Sequence, residues 1–245
     1  MPDYRVIDDD CNKNVFYCGH VAFSYTGLAE IEGKRTDDWL LSTLPESFET
    51  WVTVVREKST EAFNSMRIPL RYRHYKRHAF VGVGWVRVKP DGPLYPALVL
   101  ISNFYGTRGE LLDSVTDEFN VCGLRLSDGD KCMIFPVGQN VPQDELKHLY
   151  RSIKMCIERN TGPKTMLRHL VNTMRHVAKS NPSVGKNLLV LGMPRVAAGK
   201  PGMVYPFVED KVNTFFYIPA DSRKRVAYGP SLKCGGLTVA GLEMR

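Results

Sequence analysis

The stretch Lys13-Asn14-Val15-Phe16-Tyr17-Cys18-Gly19-His20-Val21-Ala22-Phe23-Ser24-Tyr25-Thr26-Gly27-Leu28 holds two short runs of β-branched and aromatic residues parted by Gly19-His20. Such side chains fit extended backbone, so the stretch predicts a hairpin or two neighbouring strands, the second ended by Gly27. Downstream, Thr36 stands as a helix N-cap with Asp37 and Asp38 in the first turn, where carboxylates suit the positive end of the helix dipole. Trp39, Leu40, Leu41 and Leu44 supply its apolar side. Thr43 and Glu46 bracket Pro45 at capping-box spacing, and Phe48, Trp51, Val54, Val55, Ala62 and Phe63 recur at three- and four-residue steps, which predicts a second helix to about Met66.

The period then changes. Ala79–Val86 and Tyr95–Ile101 predict strands joined across Lys89-Pro90-Asp91-Gly92-Pro93, and Phe119–Leu126 and Cys132–Val137 predict two more. Leu146, Leu149, Tyr150, Ile153 and Ile157 mark a helix opening near Pro142. Leu167, Leu170, Val171, Met174, Val177 and Ala178 mark another from Pro163. Leu188–Leu191 and Asn213–Ile218 return to strand character. The apolar stripes nominate Phe23, Trp51, Val81, Val83, Leu98, Leu149, Leu170, Val171 and Leu189 as core.

With 43% hydrophobic and 24% charged residues, the 245-residue chain has the composition of a folded domain. It carries no repeat and no Pro/Gly/Ser linker, so a single domain is expected. No apolar run approaches the ~18 residues of a membrane span, and the start MPDYRVIDDD lacks the layout of a secretory signal. A cytoplasmic protein with no membrane partner is expected. Six scattered cysteines without a CxxC pair read as reduced thiols. The formal charge is +7, and Arg67, Arg71, Arg73, Lys76 and Arg77 crowd one segment around Tyr72 and Tyr75, a mixture that suits polyanion or nucleic-acid binding; its plainer reading is a solvated connection between a helix and a strand.

Two strands, two helices, four strands, two consecutive helices and further strands call for helix pairs covering stacked sheets rather than a βαβ repeat. This α+β order resembles the N-terminal-nucleophile hydrolase superfamily, and the proteasome β-subunit in particular, read from its third strand onward. The resemblance implies an αββα four-layer sandwich of mainly antiparallel sheets over residues 1–219, with 220–245 as a C-terminal extension. Lys13-Asn14-Val15-Phe16 is similar to the strand start that holds the family's active-site lysine, and Phe23–Leu28 to the strand ending in its oxyanion-hole glycine. The separation of Lys13 from Gly27 is similar too, and Ser183-Val184-Gly185 resembles the family's late Ser-Gly element.

The resemblance implies peptide or amide hydrolysis: an activated Thr, Ser or Cys attacks a carbonyl, a lysine supplies positive charge, and backbone N–H groups hold the oxyanion. Lys13, Gly27 and Ser183 are the catalytic candidates, a peptide is the implied substrate, and self-assembly into a homo-oligomer is implied as well. The family's nucleophile and its acidic helper have no counterpart in Met1-Pro2-Asp3-Tyr4, and Ser180-Asn181-Pro182 stand where a further acid is expected. The chain as written is therefore expected to be inactive. The alternative is a non-catalytic binding or assembly module that uses segment 67–78 on nucleic acid or an acidic protein. No HExxH, GxxxxGK[ST] or GxSxG occurs, Gly82-Val83-Gly84 lies inside a strand-like run, and the histidines form no ligand set. No metal and no cofactor are expected.

Overall fold

The computed structural model describes residues 14–17, 21–45, 50–67, 74–87, 94–126, 130, 132–138, 141–180, 203–204, 207–208, 211–212, 215–216, 226–228, 232–233 and 236–237. Its elements in chain order are β1 (Asn14–Tyr17), β2 (Val21–Thr26), β3 (Glu30–Ile31), β4 (Lys34–Arg35), α1 (Thr36–Thr43), α2 (Trp51–Ser65), β5 (Ala79–Arg87), β6 (Leu94–Ser102), β7 (Asn120–Arg125), α3 (Gln143–Glu158), α4 (Pro163–Ser180), β8 (Met203–Val204), β9 (Phe207–Val208), β10 (Lys211–Val212), β11 (Phe215–Phe216), β12 (Val226–Tyr228), β13 (Leu232–Lys233) and β14 (Gly236–Leu237). They fall into two compact units, one holding β1 to β7 with α1, α2 and β12, the other α3, α4, β8 to β11, β13 and β14.

The first unit is an α+β layer. Its six-stranded sheet runs β12-β1-β2-β5-β6-β7, and every neighbouring pair is antiparallel. The sixth strand, β12, comes from the stretch that the sequence reads as an extension. Val15 lies opposite Phe23 and Tyr17 opposite Val21, all four are buried, and along β2 buried and half-buried residues alternate. A period of two sends such a set to one face, and here that face packs against the chain inserted between β2 and β5. Trp39 and Leu40 of α1, with Trp51, Val55, Ala62 and Phe63 of α2, complete one core with Ile31, Phe80, Ile101 and Phe119. Phe23 meets the Trp51 ring edge-on at 4.9 Å, and Trp39 stacks on Phe80 at 5.8 Å. Each large apolar side chain so buried contributes roughly 1.5–3 kcal/mol through removal from water.

Two expectations are corrected in this unit, and a third lies partly outside the described residues. Val83 is 44% exposed and Val81 only partly buried, because the inward positions of β5 are Phe80, Gly82 and Gly84. A Cβ on Gly82 would come within 3.0 Å of Trp51 and 3.2 Å of Phe23, so the glycine makes room for the aromatic pair. Thr36 is the first helical residue rather than the cap, and its hydroxyl turns back to donate to Leu28 O at 2.7 Å. Helix α2 starts at Trp51; the capping-box residue Glu46 and Phe48 lie outside the described residues.

The second unit contains the helix pair foreseen from the stripes. Helices α3 and α4 pack together, His176 Nε2 lies 3.1 Å from Glu145 Oε1 across them, and Leu149, Cys156, Val171 and Val177 are buried. Leu170 is only partly buried, and Leu189 lies outside the described residues. Residues 132–137 form no strand. Ile134 instead lines a cleft with Leu146 and Tyr150 of α3, so an apolar run read as a strand serves a helix. β8 pairs with β11, β9 with β10 and β13 with β14, all antiparallel.

Candidate functional site

Gly27 closes β2 with φ +119, a conformation that L side chains rarely adopt. It is exposed on one side, while on the other it backs so closely onto the start of β5 that a Cβ would lie 2.3 Å from Arg77 O and 2.6 Å from His78 Nδ1. Both constraints demand glycine here, the second more strongly because the obstructing atom is backbone.

Behind the glycine lies a buried polar hub. Leu28 N–H donates to His78 Nδ1 at 3.1 Å, so the proton of the neutral ring sits on Nε2. The imidazole is fully buried and stacks on Tyr25 at 5.9 Å. Its backbone is held from the far side: His78 N–H donates to Asn103 Oδ1 at 2.9 Å, and His78 O accepts from Ser102 Oγ at 3.2 Å and from Asn103 N–H at 3.3 Å. Asn103 Nδ2 donates to Lys76 O at 2.9 Å, and Thr116 N–H donates to Asn103 O at 2.8 Å. Ser102 Oγ also accepts from Phe104 N–H and Tyr105 N–H. One asparagine and one serine thus tie the end of β6 to the start of β5, and His78 carries that order on to the backbone beside Gly27.

Thr36 completes the approach from α1. Its N–H donates to Ala29 O at 2.9 Å while its hydroxyl donates to Leu28 O, fixing the turn after Gly27 to the first turn of the helix. Asp37, buried in the next position, is held by the Arg35 guanidinium at 3.1–3.2 Å. Leu28 N–H is spent on His78 and is not a donor for an incoming oxyanion. The backbone at Gly27 itself lies at the exposed surface of this rigid corner.

Of the catalytic candidates, Gly27 is the exposed residue that ends β2 at this corner, whereas Lys13 and Ser183 lie outside the described residues. Asn14, next to Lys13 in sequence, pairs with Ser24, three residues before Gly27. Of the basic candidates, Arg71 and Arg73 also lie outside the described residues. Arg67 is exposed just beyond α2, and Arg77 holds its guanidinium 5.9 Å over the Phe104 ring. Lys76 Nζ donates to Phe63 O and Met66 O at 2.7 and 2.8 Å, which commits the ammonium to the C-terminal end of α2.

Asn103 and Ser102 escaped the sequence reading, and His78 was read only as part of a basic run. The available signal was a polar pair directly after the apolar run of β6, opposite a histidine directly before β5. Among the described residues no group of three or more His, Cys, Asp or Glu side chains could hold a metal ion, and no helix is long and apolar enough to cross a membrane. No family model, curated protein or solved structure matches the chain.

Proposed function

We propose that the chain is a proteasome-like N-terminal-nucleophile hydrolase scaffold, an αββα sandwich shaped for peptide or amide bonds, without turnover of its own. In this reading Gly27 presents backbone to a developing oxyanion, Lys13 supplies the positive charge beside it, and Ser183 belongs to the late Ser-Gly element. The observation that carries it is the corner at Gly27: a glycine of positive φ ends β2, leads into a two-helix insertion that covers one face of the sheet, and is braced by a buried hub. Oxyanion stabilisation needs such preorganised backbone, since a donor that must first reorganise loses most of its advantage.

The described hydroxyl and thiol groups of this unit support the absence of turnover. Thr36, Ser102 and Thr116 each donate their hydroxyl proton to a backbone carbonyl, and burial pushes the Cys122 thiol up, away from the thiolate form. None of them is activated by an adjacent base, and without a nucleophile the charge and the oxyanion donor leave only small residual catalysis.

The test is incubation of the 245-residue chain with a panel of fluorogenic peptides and with a covalent probe for N-terminal nucleophiles, followed by intact mass. The expected result is neither turnover nor labelling. Stoichiometric labelling at Cys11, Cys18 or any other residue, with turnover abolished by its substitution, overturns the reading.

A further inference from the structure

We infer that a cleft of about 250 Å³ on α3, lined by Ile134, Leu146, Lys147, Tyr150 and Arg151, is a docking site for an acidic peptide segment carrying one bulky apolar residue. The cleft lies wholly within the second unit and is independent of the Gly27 corner.

Three observations converge on that occupant. The first is charge: residues 141–180 hold eight Lys and Arg against three Asp and Glu, a net +5 in a chain whose total is +7. One of the three acids, Glu145, already lies against His176. The second is placement. Lys147, Arg151 and Lys154 recur at four- and three-residue steps, so they share one side of α3, and all three are exposed. Among the described residues none of them is in an ion pair. Three unneutralised cations in a row raise the local concentration of anionic partners. The third is the apolar floor between them. Ile134 and Leu146 are half-buried and Tyr150 is 38% exposed, the amphipathic ring that most often anchors an interface.

A peptide fits these features better than a nucleic acid. The cleft has room for one large side chain between two cations, and α3 offers one exposed aromatic ring there rather than the series of stacking platforms that single strands use. Cations at the rim would select acidic residues on either side of the anchor, and the floor would select the anchor itself.

Fluorescence anisotropy on the full chain tests this with a labelled Asp-Glu-Phe-Asp-Glu peptide. Comparison ligands are the same peptide with Ser for Phe, the same peptide with Asn and Gln for the acids, and an oligothymidylate. The account expects saturable, salt-weakened binding of the first peptide and loss of binding for both peptide controls. Lys147→Ala with Arg151→Ala should weaken it about tenfold, the size of two exposed charge pairs. Tyr150→Ser should weaken it too, whereas Lys147→Arg and Arg56→Glu on α2 should leave it unchanged. All these positions are exposed, and a circular-dichroism melt verifies folding. No binding, equal binding of the Ser-substituted peptide, tighter binding of the oligothymidylate, or an unaffected double variant each overturns the proposal.

Discussion

Gly27→Ala is expected to destabilise the first unit by about 2–5 kcal/mol, the sum of a left-handed backbone penalty of about 1–2 kcal/mol and an overpacking penalty of about 1–3 kcal/mol. The added methyl group at φ +119 would stand 2.3 Å from Arg77 O, and relief requires moving either the β2 end or the β5 start. Two other glycines separate the terms. Gly33 has φ +73 but nothing within 4 Å of a Cβ, so Gly33→Ala should cost only the backbone penalty, about 1 kcal/mol. Gly123 has neither constraint, and Gly123→Ala should be neutral or slightly stabilising. Urea unfolding followed by far-ultraviolet circular dichroism checks the series. If Gly27→Ala costs no more than Gly33→Ala, the close approach to β5 is not real.

Asn103→Leu carries the second large effect. Leucine keeps the branched skeleton of asparagine but carries bulkier methyl groups in place of the amide, so lost hydrogen bonding is joined by some overpacking: His78 N–H and Lys76 C=O would lose their partner at a site where Asn103 is 1% exposed. Leaving a buried polar group unsatisfied costs about 1–3 kcal/mol each, and the pair should cost about 3–4 kcal/mol. The same substitution should also speed hydrogen exchange at His78 and Leu28, because the imidazole that accepts from Leu28 N–H loses its brace. A variant within 1 kcal/mol of the parent, with exchange unchanged, would show that the hub carries no structural weight.

These sites show where the sequence was legible. The hairpin could be read because Val21, Phe23 and Tyr25 of β2 alternate with less buried neighbours, and Val15 and Tyr17 of β1 are buried at the same period. The paired helices α3 and α4 were legible for the same reason at a period near 3.6. Val83 misled because hydrophobicity alone ranks valine above glycine as a core residue. The inward face of β5 is set by what stands opposite, and Trp51 fills the space above Gly82. Residues 132–137 misled because a continuous apolar run has no period that tells a sheet neighbour from a helix neighbour. At the corner, the glycine that ends β2 was legible as the stop of an apolar run. The hub was not, since Asn103, Ser102 and His78 meet only through the pairing of β5 with β6, a contact between residues about 25 positions apart.

The central claim is that Lys13 and Gly27 form one site, and nuclear Overhauser spectroscopy on chain labelled selectively at lysine and glycine tests it most directly. Substituting Lys13→Arg assigns the lysine signal, and Gly33→Ala and Gly123→Ala remove competing glycine signals without disturbing the corner. The account predicts a cross-peak between the Lys13 side-chain methylenes and the Gly27 amide that vanishes in Lys13→Arg. A resolved Gly27 amide with no contact to any lysine, and a Lys13 signal with the shift of a free side chain, would contradict the proposed site.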